Sequence, residues 1–329
     1  MTTRFHLLGD VMVDITAIVV EPINYASDTP ARVSLQAGGA AANTACWLAH
    51  DGQHATLVGA IGHDAFGSLV RTHLDALQVT DLLVTVPGSA TGTCVVIVDA
   101  SGERTMLPDP GANAGLTPRD LPASAFRSGD HLHLSGYTLL HPATRAAGMD
   151  ALRRAREAGM TTSLDPASAA PLAQDPTVLD PAMTLIDVLI ANEAEAEVLT
   201  GFADPHLALA ALADRVPTVV VKLGSQGSIA RRRGALVTET QMTTTLGAAT
   251  LGSAPTLGAR VDAAESASAR AVDAEIIDTT GAGDAFAAGF LPPWVAHRPL
   301  HDCLNAAARS AARAVARVGA GPGAVPPGE

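Results

Sequence analysis

Aromatic residues are scarce in this sequence of 329 residues, at 3% of the composition. Proteins that bind single-stranded nucleic acid stack bases on aromatic rings and neutralise phosphates with clustered Lys and Arg. The formal net charge of −12 opposes polyanions further. The short basic run Arg231 to Arg233 is interpreted as a solvated strand end, with a binding site as the less favoured alternative. We therefore expect no nucleic-acid partner.

Long apolar runs and paired cysteines are lacking as well. No segment approaches the roughly 18 apolar residues that a membrane-spanning helix needs, and the first residues lack the apolar core of a signal peptide. Cys46, Cys94 and Cys303 are odd in number and widely separated, which indicates neither a disulfide framework nor a zinc site. We expect a cytoplasmic protein that has no membrane partner and whose cysteines are small buried residues.

Hydrophobic residues, by contrast, make up 47% of the chain, enough to fill a large core. Strand and helix patterns alternate through much of the sequence. The predicted strands include 131–134, 161–164, 188–191 and 218–223, and the predicted helices between them are 143–158, 193–199 and 206–214. Strands joined by helices form parallel sheets that are covered on both faces. The pattern predicts an α/β fold with a three-layer, doubly wound sheet, formed by residues 1–329 as one domain.

Two segments depart from this alternation. Short strand patterns and turns between residues 80 and 107, beginning with a strand at 82–86, predict a hairpin that leaves the main sheet. The stretch 238–274 consists mainly of Ala, Thr, Ser and Gly, without the apolar residues to pack an element of its own. It is interpreted as a flexible surface insertion that covers about residues 241–273.

The segment from Ile276 to Phe290 carries the most specific chemistry. An apolar strand pattern breaks at Gly281-Ala282-Gly283 and continues as a helix of small residues, with Asp284 in its first turn. Two glycines allow backbone N–H groups to approach an anion, and the positive end of the helix adds to the attraction. A carboxylate beside such a cradle suggests a base aimed at an attacking hydroxyl. A simple turn with a capping acid is an equal alternative on spacing alone.

The same segment resembles a known family, the ribokinase-like (PfkB) carbohydrate kinases, whose signature Asp-Thr-x-Gly-Ala-Gly-Asp matches residues 278–284. The resemblance extends over nearly the whole chain in the expected order. Further matches are the glycine pair of 38–43, the Gly-x-Asp-x-Phe-Gly pattern within 61–67, the Asn-x-x-Glu motif at 192–195 and the turn 223–227. The resemblance implies the ribokinase-like fold with a small β-sheet lid formed by about residues 11–37 and 82–110.

For catalysis, the resemblance implies that Asp284 removes the proton of the acceptor hydroxyl and that Gly281, Ala282 and Gly283 form the anion hole. It implies ATP and Mg²⁺ as cofactors, with the metal held through water by Asn192 and Glu195. The alternative for this pair is a capping box at a helix start, because Asn is a good N-cap and Glu follows three residues later. The implied ATP-binding residues are Asn192, Lys222, Gly224, Gly227, Thr279 and Asn305.

On the acceptor side, the resemblance implies a sugar-like substrate under the lid. The implied substrate-binding residues are Asp14, Gly38, Gly39, Asn43 and Tyr137. Ribokinases proper tend to have Asn, Lys and Glu at positions where this chain has Met12, Ala40 and Gly136-Tyr137, which argues against ribose as the acceptor. The lid is also a candidate homodimer contact.

A monovalent cation, K⁺, is a further candidate ligand on the strength of the resemblance. Its implied ligands are Asp278 and the tail loop, represented by Ala314 and Gly319, although Gly323 stands where a Ser is common. His131 and His133 alternate on a predicted strand, where two imidazoles could bind a metal. A third ligand is not evident, so the interpretation as ordinary strand-edge histidines is favoured.

Three functional interpretations are considered for these motifs. The leading one is an ATP-dependent sugar kinase, and a nucleoside kinase of the same fold is its near alternative. A non-catalytic sugar- or nucleotide-binding protein on the same scaffold is the alternative from another class, opposed by the intact Asp284, Asn192 and Glu195. The sequence has neither a P-loop nor a dinucleotide-binding Gly-x-Gly-x-x-Gly after its first strand, which excludes P-loop kinases and weakens an oxidoreductase.

Overall fold

A nine-stranded sheet forms the centre of the molecule. The computed structural model describes residues 3–100, 103–234, 236–237, 260–261 and 264–323. In these residues the strands are β1 (Arg4–Leu8), β2 (Met12–Ile18), β3 (Arg32–Gly38), β4 (His54–Ile61), β5 (Thr80–Thr85), β6 (Gly92–Val98), β7 (Arg104–Asp109), β8 (His131–Ser135), β9 (Thr161–Asp165), β10 (Val188–Asn192), β11 (Thr218–Lys222), β12 (Ser228–Arg232), β13 (Leu236–Val237), β14 (Arg260–Val261) and β15 (Glu265–Ala269).

The helices connect these strands in the order that the alternating pattern predicts. They are α1 (Ala40–His50), α2 (Ala65–Ala76), α3 (Tyr137–Leu140), α4 (Arg145–Glu157), α5 (Ala169–Leu172), α6 (Asp180–Met183), α7 (Glu193–Thr200), α8 (Pro205–Ala213), α9 (Ala282–Val295) and α10 (Leu300–Val315). In the part of the chain that the structure describes, none of them is long and apolar enough to cross a membrane.

The main sheet has the strand order β15-β12-β11-β10-β9-β8-β1-β4-β5. The seven strands from β11 to β5 pair in parallel, and β12 and β15 join one edge in antiparallel pairing. Neighbouring residues such as Leu7 and Leu8, or Val220 and Val221, are fully buried in two different cores. Because side chains alternate along a strand, the sheet is covered on both faces. The predicted doubly wound α/β fold is confirmed.

A separate four-stranded sheet has the order β3-β2-β6-β7. Strand β2 pairs parallel to β6, and the outer strands β3 and β7 are antiparallel to their neighbours. This smaller sheet, called the lid below, consists of residues 12–18, 32–38, 92–98 and 104–109. The strand predicted at 82–86 was wrongly assigned to it. Strand β5 instead pairs in parallel with β4 and buries Leu83, since α2 supplies the crossover that parallel strands require.

The low-complexity stretch also differs in part from its prediction. Residues 241–259 and 262–263 of the predicted insertion lie outside the described residues, but β15 falls within its downstream end and completes the sheet beside β12. This strand needs no large apolar side chains, because the backbone ladder holds it and the Glu265 carboxylate accepts a 2.6 Å hydrogen bond from the Leu300 N–H. The absence of apolar residues therefore failed to indicate an edge strand.

The two histidines of β8 lie in the core and share a serine. Ser163 Oγ is 2.8 Å from His131 Nε2 and 2.7 Å from His133 Nδ1. Burial lowers the pKa of His131 well below its usual value and that of His133 to about 4, so both imidazoles are neutral at physiological pH. The predicted position of these histidines at a strand edge is therefore wrong: both lie in the core, where hydroxyl groups hold their ring nitrogens.

Asn113 ties the lid to the main sheet where the chain passes from β1 to β2. Its Oδ1 accepts from the Val11 N–H at 2.9 Å, and its Nδ2 donates to the Val11 carbonyl at 2.8 Å. Val11 is fully buried. The side-chain amide thus satisfies both backbone groups of a residue that belongs to neither sheet.

We predict that Asn113→Ala lowers the free energy of unfolding by about 1–3 kcal/mol, because two backbone groups lose their partner in a buried place. Urea denaturation would measure this loss. Asn24→Ala, which removes a hydrogen bond to Asp28 in an exposed loop, is the matched control and should change stability little. Equal effects of the two substitutions would contradict a structural role for Asn113.

Candidate active site

Polar residues end four neighbouring strands of the main sheet. Ser135 ends β8 opposite Asp165 at the end of β9, and Asn192 ends β10 opposite Lys222 at the end of β11. The preceding residues of these strands are almost all buried. Carboxyl ends of parallel strands meet at one edge of a sheet, where ligands bind in this architecture. The polar ends therefore define a candidate site at this edge.

The predicted anion turn lies at the start of α9. Gly281 is the N-cap of this helix and adopts a left-handed conformation with φ 73°, which suits glycine. A side chain at Gly281 would also collide with the backbone of Ala320. The first amides of a helix lack partners within it and point outward from its N-terminus. The Ala282 N–H donates to the Thr279 carbonyl at 3.3 Å, and the binding of an anion at this turn stays a prediction.

Asp284 lies in the first turn of α9 and is half-buried. Asn43 of α1 donates from Nδ2 to Asp284 Oδ2 at 2.9 Å, which fixes the carboxylate. Burial raises the pKa of Asp284 well above its usual value; the charges of Asp165 and Asp10 raise it further, while Asn43 and Lys222 act in the opposite direction. A carboxylate with a raised pKa is a stronger proton acceptor, so the site equips Asp284 as a base.

Lys222 is the cation beside this carboxylate. Its Nζ donates to Asp165 Oδ2 at 2.8 Å and lies 3.3 Å from the position that a Cβ on Gly283 would take. Burial lowers the pKa of Lys222, but the charges of Asp165 and Glu195 outweigh burial and raise it. A charged ammonium group thus lies directly beside the anion turn, which supports the predicted contact between Lys222 and a phosphate.

Asn192 and Glu195 form a capping box at the start of α7. The Glu195 N–H donates to Asn192 Oδ1 at 2.9 Å, and the Asn192 N–H donates to Glu195 Oε2 at 2.8 Å. The structural alternative for this pair is therefore observed, and it accounts for one carboxylate oxygen of Glu195. Burial and the charge of Asp165 raise the pKa of Glu195. The second carboxylate oxygen of Glu195 would be available to Mg²⁺ through water, and this role stays a prediction.

Asp10 is a site residue that sequence reasoning missed. Its Oδ2 accepts from the Ala40 N–H and its Oδ1 from Ser135 Oγ, both at 2.8 Å. It therefore joins β1, the start of α1 and the end of β8. Asp165 was missed in the same way. The position of each at the carboxyl end of a parallel strand would have identified them, because this is the edge where ligands bind.

The predicted acceptor residues lie on the lid side of this edge. Asp14 of β2 faces Gly38, where any side chain would collide with its carboxylate. Gly39 has φ 99°, a conformation that favours glycine, and precedes the helix that carries Asn43. Tyr137 is 41% exposed, and burial together with the charge of Asp10 raises its pKa to about 12. The structure thus gathers these residues around Asp10 and Asp284.

The predicted adenine-side residues are more scattered. Gly224 and Gly227 flank the turn after β11, and a side chain at Gly227 would collide with the end of β15. Asn305 lies half-buried on α10, which packs against α9. Its predicted contact with the nucleotide stays a prediction.

The predicted cation loop meets Asp278 through N–H groups. Gly319 donates its N–H to Asp278 Oδ2 at 2.9 Å, and Thr280 donates its N–H to Asp278 Oδ1 at 2.7 Å. Ala314 is buried in α10, and its carbonyl accepts from the Arg317 N–H at 3.3 Å. Thr279, predicted to bind ATP, accepts a 2.8 Å hydrogen bond from Arg104 of the lid.

Comparison with known proteins agrees with this geometry. The model of the pfkB family carbohydrate kinases matches residues 3–247 and 238–326. A fructokinase from Klebsiella pneumoniae is 31% identical over 90% of this chain and 86% of its own. An adenosine kinase from Sinorhizobium meliloti shares the fold with a TM-score of 0.81 at 24% identity, over 98% of this chain and 96% of its own.

A double mutant of the fructokinase from Vibrio cholerae O395 has also been solved, with fructose, ADP and a potassium ion bound. It is 26% identical, with a TM-score of 0.74 over 97% of this chain and 94% of its own. These matches define a phosphotransferase that acts on hydroxyl groups. The chain belongs to the pfkB family of carbohydrate kinases.

The raised pKa of Asp14 predicts how the stability of the protein changes with pH. Burial and the charges of Asp10 and Asp278 raise the pKa of Asp14 from 3.8 to about 6. Between these values the folded state binds more protons than the unfolded state, so this group makes stability fall as the pH rises. We predict that Asp14→Asn raises the free energy of unfolding by about 1–3 kcal/mol near pH 7.5.

The gain should shrink towards about pH 4, where Asp14 is protonated in the folded wild type. Urea denaturation at several pH values would measure both quantities. Asp28→Asn, which changes an exposed carboxylate near the lid, is the matched control and should give a small, pH-independent difference. A loss of stability in Asp14→Asn at neutral pH would contradict the prediction, because it would show that burial and the neighbouring carboxylates do not destabilise the ionised Asp14.

Proposed function

We propose that this chain is an ATP-dependent kinase that transfers the γ-phosphoryl group to a hydroxyl of a sugar or sugar-like small molecule. The observation that carries the proposal is the half-buried Asp284, held by Asn43 at 2.9 Å in the first turn of the helix whose N-terminus would bind the phosphate. The charged Lys222 beside Gly283 adds the cation that a phosphate requires.

In this mechanism the acceptor hydroxyl binds between Asp14, Asn43 and Asp284. Asp284 takes the hydroxyl proton as the oxygen forms its bond to the γ-phosphorus, and the bond from that phosphorus to the bridging oxygen of ADP breaks. The amides from Gly281 to Gly283 and the Lys222 ammonium stabilise the charge on the transferred group. Mg²⁺, held through water by Asn192 and Glu195, would neutralise the phosphate charge.

The lid supports the same proposal because it borders the acceptor side of the site. Asp14 lies on β2, and Gly38 ends β3, so two lid strands contribute residues that face the carboxylate edge of the main sheet. Closing a lid over bound substrates excludes water, which protects ATP from hydrolysis. A sugar is favoured as the acceptor by the fructokinase relative, and a nucleoside by the adenosine kinase with the same fold.

The experiment that tests the function measures ADP release with ATP and Mg²⁺ across four acceptor classes: pentoses, hexoses, sugar phosphates and nucleosides. We expect fructose or a related sugar to be phosphorylated and ribose to be a poor acceptor, because Met12 and Ala40 depart from the ribokinase pattern. Preference for adenosine would favour the nucleoside alternative. Ligands that raise the melting temperature without any ADP release would support the non-catalytic alternative and contradict the kinase proposal.

We predict that Asp284→Asn lowers kcat by about 10²–10⁴-fold, because general-base contributions are of that size. The affinity for ATP should change little, since the neutral side chain still accepts from Asn43. Asp302→Asn is the matched control: Asp302 also lies in the first turn of a helix, but it pairs with Arg298 at the surface. Steady-state kinetics of both variants would measure this loss. Wild-type turnover in Asp284→Asn would show that Asp284 is not the general base.

We also propose that the kinase acts in the cytoplasm and forms a homodimer through the lid. Support for the dimer comes from apolar residues on the two outer lid strands. Val33, Leu35, Met106 and Leu107 are 49% to 60% exposed. Such residues at sheet edges are typical of surfaces that pair with another chain.

Sedimentation velocity tests the dimer. We predict that the wild type sediments as a dimer and that Leu35→Asp shifts it towards monomer, because a charge would be buried at the contact. Val20→Asp changes another exposed apolar residue, one outside the lid strands, and should leave the dimer intact. A monomeric wild type would contradict the dimer without affecting the proposed reaction.

A further inference from the structure

Arg104 reaches from the lid to the segment that precedes the anion turn. It is the first residue of β7, and its guanidinium lies 2.6 Å from Asp278 Oδ1 and donates to Thr279 Oγ1 at 2.8 Å. Both side chains of the ion pair are largely buried, with 21% of Arg104 and 14% of Asp278 exposed. An ion pair of this kind holds the lid against the residues that lead into Gly281.

Both carboxylate oxygens of Asp278 have donors beside them. Besides Arg104, the N–H groups of Thr280 and Gly319 donate to its two oxygens at 2.7 and 2.9 Å. The guanidinium lies 2.6 Å from Oδ1 and provides the counter-charge of the carboxylate.

Nearby backbone carbonyls are also engaged. The Val315 carbonyl accepts from the N–H groups of Ile277 and Asp278 at 2.8 and 3.1 Å. The Ala314 carbonyl accepts from Arg317, and Gly319 offers its N–H to the carboxylate. A potassium ion requires a cage of oxygen atoms, whereas both oxygens of Asp278 already accept from N–H groups and the Ala314 carbonyl accepts from Arg317. The residues implied as K⁺ ligands therefore do not fit the ion.

We propose that the Arg104 guanidinium takes the place of a monovalent cation at Asp278, so that this kinase needs no potassium. Arg104 is a positioning residue: it neutralises Asp278 and fixes the segment from Asp278 to Gly281, which holds the anion turn. Arg104 lies on the lid, so its guanidinium contacts Asp278 only while the lid is packed against this segment. The inference goes beyond the proposed function and does not depend on which acceptor is phosphorylated.

Ion binding can be tested without turnover. Trp47, one of two tryptophans in the chain, donates from Nε1 to the Ala320 carbonyl at 2.9 Å, so its fluorescence reports on the loop next to Gly319. We expect the wild type to show the same fluorescence in KCl and in choline chloride of equal ionic strength. Its melting temperatures in the two salts should agree within about 1 °C, since an ion that does not bind the folded state cannot stabilise it.

Substitution of Arg104 should create a dependence on added cations. In choline chloride, Arg104→Ala should lose about 10- to 100-fold in turnover, because a misplaced catalytic turn costs rates of that order. Guanidinium ions should restore a substantial part of the turnover and raise the melting temperature, since they can replace the lost group at Asp278, whereas potassium should restore less because the surrounding residues do not fit it. Arg104→Lys, which keeps the positive charge, should retain turnover in choline and, like the wild type, show no response to potassium.

Arg32→Ala is the matched control, because Arg32 also begins a lid strand but has no ion pair in the described residues. It should behave as the wild type in every salt. Potassium-specific stabilisation of the wild type, or more than about fivefold activation by potassium, would overturn the proposal. An Arg104→Ala variant that stays impaired in every cation would also overturn it, by showing that Arg104 acts as something other than the missing charge.

The two proposals fail in different ways. If no acceptor is phosphorylated, the proposed function fails, and the salt-dependent melting and fluorescence of the wild type still decide whether Asp278 binds potassium. If phosphorylation occurs only with potassium, the kinase proposal stands and the assignment of Arg104 fails. If Arg104→Ala does not fold, Arg104→Lys and the wild-type measurements decide.

Discussion

The candidate site depends on one largely buried lysine that balances several buried or partly buried carboxylates. Asp165 bonds Lys222 directly, and the charges of Glu195 and Asp284 act on the same ammonium. The carboxylates gain from this cation, yet burial still raises the pKa of Asp284 well above its usual value. An arrangement with too little positive charge is suited to a ligand that brings cations of its own, such as a metal-bound nucleotide.

The sequence allowed the parallel sheet, its covered faces and the anion turn to be predicted, because each has a local pattern. Helices and strands differ in the period of their hydrophobic residues, and the spacing of Gly281 and Gly283 is recognisable in the sequence. The family resemblance added Asn43, Lys222 and the Asn192–Glu195 pair. The contacts that each side chain makes could not be predicted, since β1, β9 and α9 come together only when the strands take their order in the sheet.

Two errors have the same physical origin. Strand β5 was placed in the lid, and β15 was overlooked, because both are edge strands whose side chains are only partly buried. An edge strand is held by its backbone ladder, so its sequence carries a weak hydrophobic pattern. Asp10 and Arg104 were missed for a related reason: each is a single polar residue at a strand end, and its importance follows from partners more than 25 positions away, such as Ala40 and Asp278.

The hydrogen bond between Asn43 and Asp284 joins residues that are 241 positions apart. During synthesis the first of these residues leaves the ribosome long before the second exists, so a nascent chain holds the acceptor-side residues without the base or the turn. Contacts of such separation form late in folding. We expect catalytic competence to appear in one step when α9 docks, and an incomplete chain to be unable to consume ATP.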